Sequence, residues 1–150
     1  MLIYRLARAK HPALSGEGAR LKGGRWNSAG RPVVYASATV SLCALEYLVQ
    51  SSLASLPPDL VAATIDVPDD LVIPTVTVTL PANWRDPGCA ACKTAGNAWL
   101  VSGASAVLRV PSAVILDEFN YLVNPLHPDA ARLTVRTSDP FAFDPRLVQP

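Results

Sequence analysis

Proline interrupts this chain at 14 of its 150 positions, singly except for the pair Pro57-Pro58. Each ring fixes φ and removes a backbone donor, so neither a long helix nor an uninterrupted central strand can run through these sites. What lies between them must fold as short elements joined by rigid turns. There is no PxxP array, so the prolines are punctuation between elements.

The segments between prolines fall into an α+β pattern. Leu2 to Leu6 alternates as a first strand, and residues 33–37 read as a buried strand. A helix of about three turns follows over 39–50, with Ser37 or Thr39 placed to cap it. Further strands are predicted over 61–67, 76–80, 105–110, 112–116 and 133–137, with a short helix from about Asn97 to Ser102. Residues 15–32 carry five glycines and little periodicity, and read as a long loop of the kind that often serves function. The segment holding Cys89 and Cys92 also reads as loop, residues 118–128 as polar turn, and the tail after Pro140 as an edge packing. Strands and helices do not alternate, so a βαβ array is excluded, and residues 1–150 form one domain.

Composition narrows the functional classes. Half the residues are apolar and only 17% are charged, which supports a real core and argues against disorder. The net charge of +1 supplies no basic field for a nucleic-acid backbone, so no direct nucleic-acid binding is expected. No apolar run reaches membrane-span length, and Arg5, Arg8 and Lys10 break the apolar start that a signal peptide would need. Three cysteines, an odd number, suit a reducing compartment; the cytoplasm is the expected address.

The residue that stands out chemically is Glu46. Leu42, Leu45, Glu46 and Val49 form the i, i+3, i+4, i+7 stripe that normally faces a core. A carboxylate there must be ion-paired, hydrogen-bonded, protonated or opened to a cleft, and the last is the functional reading. Gly23-Gly24-Arg25-Trp26-Asn27 adds glycines that let backbone approach a ligand and an arginine fork suited to phosphate or carboxylate. Trp26 supplies either a core anchor or a stacking face. The loop is neither a Walker loop nor a dinucleotide fingerprint. Tyr35 precedes the helix on its strand, and Ser112 follows Pro111, where a strand bend would expose its hydroxyl. No G-x-S-x-G elbow accompanies that serine. Asn120, Asn124 and His127 crowd a turn-rich segment. Cys89-x-x-Cys92 lacks the further ligands a zinc site needs, and no metal is expected.

Together GGRWN (23–27), VVYAS (33–37), LEYLV (45–49), PSA (111–113) and NYLVNPLHP (120–128) resemble the RES-domain family, named for an arginine, a glutamate and a serine. The resemblance runs from Tyr4-Arg5 to Asp144-Pro145-Arg146. It would make Arg25, Glu46 and Ser112 the name-giving residues. Gln50 stands where family members often carry histidine, and Cys43 where alanine is common.

The resemblance implies an ADP-ribosyltransferase-like fold: short, largely antiparallel strands in two small sheets with flanking helices. It implies a toxin of a bacterial toxin–antitoxin pair that consumes NAD+, neutralised by an Xre-type helix-turn-helix antitoxin, with a toxin homodimer one option inside that complex. On this view Glu46 faces the positive charge that develops when the nicotinamide–ribose bond breaks. Arg25 clamps the pyrophosphate, Tyr35 walls the nicotinamide and Ser112 bonds the ribose or amide. Asn124 and His127 shape the pocket, and a loop bearing Lys22 and Trp26 closes over the nucleotide. ADP-ribose passes to water or phosphate; the alternative is transfer to a protein acceptor. A non-catalytic binding module, with Glu46 in a structural ion pair, is the reading from another class.

Overall fold

A computed structural model describes residues 1–51 and 56–147. Its centre is one sheet of six short antiparallel strands: β1 (Leu2–Arg8), β2 (Val34–Ser37), β3 (Leu60–Asp66), β4 (Val107–Pro111), β5 (Phe119–Val123) and β6 (Thr134–Pro140), in the order β4-β5-β2-β1-β3-β6. The helices are α1 (Glu17–Lys22), α2 (Val40–Gln50) and α3 (Ala90–Ser102). Single 3-10 turns cover Pro128–Arg132 and Pro145–Leu147. Among the described residues no helix is long and apolar enough to cross a membrane.

The expectation of two small sheets is corrected to one, though the reason for expecting two is visible. β1 pairs with β3 along its whole length, from Leu2 opposite Asp66 to Arg8 opposite Leu60. β2 pairs with β5 from Val34 opposite Val123 to Ser37 opposite Asn120. Among the described residues, strand pairing between the two halves is confined to Tyr4 opposite Ser37.

Period-two alternation sorts the side chains to two faces. Ile3, Val34, Ala36, Ile65, Val107 and Val123 build one core. On the opposite face Trp26, Val33, Cys92, Trp99, Leu108 and Leu122 build the second, under α3. That helix runs from Cys89, whose sulfur accepts from the Cys92 N–H, to Gly103, which is left-handed at φ 58°. It is longer than the short helix expected near Asn97, and Cys89-x-x-Cys92 opens it instead of lying in a loop.

Two predicted strands are absent. Residues 76–80 alternate, but only Thr75 bridges to Arg109, at the outer edge of β4. Residues 112–116 form a turn, because the Ser112 hydroxyl accepts from the Val114 and Ile115 N–H groups and competes with strand pairing. Conversely, β5 occupies a segment read as turn, and α1 a segment read as loop.

Candidate active site

The site is assembled at the ends of β2, β4 and β5 by α2. Thr39 caps that helix, its Oγ1 accepting from the Leu42 N–H at 3.1 Å. The rotation of α2 differs from the one read from its pattern. Leu42 and Cys43 are buried, whereas Leu45 and Val49 are 39% and 63% exposed. A contact from another strand sets the rotation: the Leu6 N–H donates to Cys43 Sγ at 3.1 Å. The stripe facing the site is therefore Cys43, Glu46, Tyr47 and Gln50, again i, i+3, i+4, i+7 but one residue on. All four line a cavity of about 120 Å³, together with Tyr35 and Asn120. That is close to the size of void known to hold a single aromatic ring.

Glu46 stands in the wall of this cavity. Its Oε1 accepts from Ser112 Oγ at 2.8 Å and from Asn120 Nδ2 at 2.5 Å. Asn120 Oδ1 in turn accepts from Ser37 Oγ at 2.7 Å. The carboxylate is thus held by two neutral donors, and no ion pair with an arginine is formed among the described residues. Ser37 and Asn120 were not selected from the sequence as site residues. The signal was a polar residue at the end of each of two paired apolar strands.

Arg25 does not line this cavity and is engaged elsewhere. Its Nη1 donates to the Trp84 and Asp86 carbonyls at 2.7 and 3.0 Å, and Nη2 to the Arg85 carbonyl at 3.0 Å. Tyr35 lines the cavity, while its hydroxyl accepts from the Trp26 N–H at 3.0 Å and donates to Asn27 Oδ1 at 2.7 Å. Desolvation by burial raises the pKa of that phenol well above its ordinary value.

The glycine-rich loop is built into the core and is not poised as a lid. Trp26 is 2% exposed, so it is the core anchor and not a stacking face. Asn27 is fully buried and donates to the Ala19 and Ser28 carbonyls. Ser28 is tied to Asn97 of α3 at 2.9 and 2.8 Å. A Cβ on Gly24 would lie 2.5 Å from the Tyr35 hydroxyl, and one on Gly96 only 1.8 Å from the Trp26 carbonyl oxygen. Glycine here is a requirement of close packing.

Three further expected residues do not join the Glu46 cluster. Lys22 ends α1, exposed to solvent. Asn124 and His127 line a different cavity of about 200 Å³ with Arg31, Leu100 and Gly103. Asn124 Oδ1 accepts from the Leu126 N–H and His127 Nδ1 from the Asp129 N–H, so both shape their own turns. Arg5, which in the sequence marks only a break in the apolar start and one end of the resemblance, has its Nη1 buried without a hydrogen-bond partner among the described residues. Desolvation pulls its pKa below the ordinary arginine value, partly opposed by the neighbouring Cys43.

The molecule is thus an α+β domain with a doubly held carboxylate at one end of a strand pair. Residues 2–144 match the RES domain, and the chain belongs to the RES-domain family. It is 39% identical over 154 residues to the protein named Toxin Res of Photorhabdus laumondii subsp. laumondii, covering 99% of this chain and 98% of that one. It is 36% identical over 140 residues to the Prs ADP-ribosylating toxin of a Sphingobium species, covering 91% and 87%. Among solved structures it resembles the crystal structure of the M. tuberculosis MbcT–MbcA toxin–antitoxin complex. There the TM-score is 0.77 at 26% identity, over 98% of this chain and 86% of that one.

Proposed function

We propose that this chain is the toxin of a bacterial toxin–antitoxin pair and that it cleaves the nicotinamide–ribose bond of NAD+, passing ADP-ribose to water or phosphate. The observation that carries this reading is the Glu46 carboxylate, fixed by Ser112 and Asn120 in the wall of a ring-sized cavity. The bond between the ribose anomeric carbon and the pyridinium nitrogen breaks with its electron pair going to nitrogen, so nicotinamide leaves neutral. The sugar becomes oxocarbenium-like, and a preorganised carboxylate beside it stabilises that charge without reorganising at the moment of reaction. Water or phosphate then adds to the anomeric carbon and releases a proton.

In this reading Glu46 Oε2 holds a ribose hydroxyl, Ser112 and Asn120 orient the carboxylate, and the Tyr35 ring walls the nicotinamide. Arg25 lends positive charge for the pyrophosphate through the N–H groups that the 84–86 carbonyls leave free. Lys22, Asn124 and His127 are assigned no step. The partner is an Xre-type antitoxin, in keeping with the toxin–antitoxin complex to which the fold is similar.

A second reading, transfer of ADP-ribose to a protein, is favoured by the name of the Sphingobium relative. Both are tested by nicotinamide release from NAD+ with purified toxin freed of antitoxin, with and without phosphate. Glu46→Gln is expected to lower release by about two to three orders of magnitude while the protein stays folded. Equal release by wild type and variant sinks the reading. Release that requires an added protein acceptor moves the assignment to the transferase.

A further inference from the structure

We propose that Arg85, outside every motif of the family resemblance, is a positioning residue that aims the Ser112 hydroxyl at Glu46. The inference rests on the reaction proposed above. Arg85 Nε donates to the Ala113 carbonyl at 2.8 Å and its Nη2 to the Val114 carbonyl at 3.2 Å. Those carbonyls belong to the two peptide units whose N–H groups, of Val114 and Ile115, donate to Ser112 Oγ at 3.1 and 3.0 Å. Each peptide is therefore gripped at both ends, its oxygen by the guanidinium and its N–H by the serine.

The consequence follows from the valence of a hydroxyl. A serine oxygen has two lone pairs and one hydrogen. Both lone pairs face the turn, so the hydrogen has one direction left, and it meets Glu46 Oε1 at 2.8 Å. The guanidinium also polarises both peptides in the sense that strengthens their N–H donation, and so strengthens the serine as a donor. Arg85 is itself held in place, because Arg25 binds the carbonyls of residues 84, 85 and 86. The arginine, serine and glutamate of the family name are joined in one chain of bonds, and Arg85 is the link between them.

The test uses the full chain freed of antitoxin, with Arg85→Ala, Arg85→Lys, Ser112→Ala and the double variant Arg85→Ala/Ser112→Ala. Arg85→Ala is expected to lower kcat for NAD+ cleavage on the order of tenfold with KM changed less than about threefold, and lysine to restore part of the loss. In the Ser112→Ala background the same substitution should cost less than about twofold, because its effect runs through the serine. Unchanged kcat, or an equal loss in both backgrounds, overturns the proposal. Amide exchange at Val114 and Ile115 supplies a readout without catalysis: both should exchange faster in Arg85→Ala while Leu122 and Val123 keep their protection. If wild type releases no nicotinamide, the reaction is misassigned and exchange alone decides. Faster exchange then supports the positioning role, and unchanged exchange refutes it.

Discussion

Asn120 donates from Nδ2 to Oε1 of Glu46, 74 positions away in the chain, while its Oδ1 is occupied by the Ser37 hydroxyl. The amide is thereby locked in one orientation and cannot flip to present oxygen to the carboxylate. Asn120→Ala is expected to lower the rate of nicotinamide release by about 10- to 100-fold, and Asn120→Asp by more at neutral pH. The aspartate would replace a donor with a second carboxyl facing the first. Steady-state kinetics of the two variants decide it; an aspartate variant more active than the alanine one contradicts this account.

Position 96 should tolerate nothing but glycine. The carbonyl oxygen of Trp26 occupies the place of the missing Cβ, and α3 cannot withdraw without opening the core around Trp26, Leu108 and Leu122. Gly96→Ala is expected to destabilise the fold by about 1–3 kcal/mol or more. Gly18→Ala, in α1 with open space around the Cβ, should be neutral or stabilising by up to about 1 kcal/mol. Urea denaturation of both proteins checks the contrast.

Removing the Tyr35 hydroxyl leaves the Trp26 N–H and the buried Asn27 amide oxygen without their partner. Tyr35→Phe should therefore cost about 1–3 kcal/mol. The loss belongs to the loop that carries Arg25, so exchange at the Trp26 amide should rise more than exchange in β3.

Alkali should weaken the fold in a defined direction. Burial raises the Cys43 thiol and pushes the Cys92 thiol up to about 12, against an ordinary 9.0, and it raises the Tyr35 phenol above 10.0. Each group is neutral when protonated, and the unfolded chain gives up its proton first. Stability is then complete below about pH 9 and is lost as pH rises through the window between the unfolded and native values. Urea midpoints should fall steadily from about pH 9 to about pH 10.5, and Tyr35→Phe should reduce the fall above about pH 10. A flat profile contradicts the assignment of these groups to the interior.

The sequence makes Glu46 conspicuous, because a carboxylate amid apolar helix residues needs a partner or a cleft. The same apolarity hides which side of α2 faces inward. Eight of its eleven residues are apolar, so more than one stripe satisfies the pattern. The rotation is decided by Leu6, 37 positions from Cys43. Strand β5 was obscured because Asn120 and Asn124 look like turn residues until the Ser37 hydroxyl and the Glu46 carboxylate are placed opposite Asn120. Residues 76–80 err in the other direction. Their alternation is that of a strand, but pairing needs an edge, and only Arg109 of β4 offers the Val76 N–H an acceptor. Arg85 carried no signal at all, since its partners are backbone carbonyls.

The meeting of the two half-sheets at Tyr4 and Ser37 has a mechanical meaning. It is the narrowest cross-section of the molecule's central plate, a single rivet between two panels. Ser37 is that rivet and also the first member of the polar chain to Asn120 and Glu46. The carboxylate therefore sits two hydrogen bonds from the join of the half-sheets, at Ser37, whose backbone serves the sheet and whose side chain serves the site.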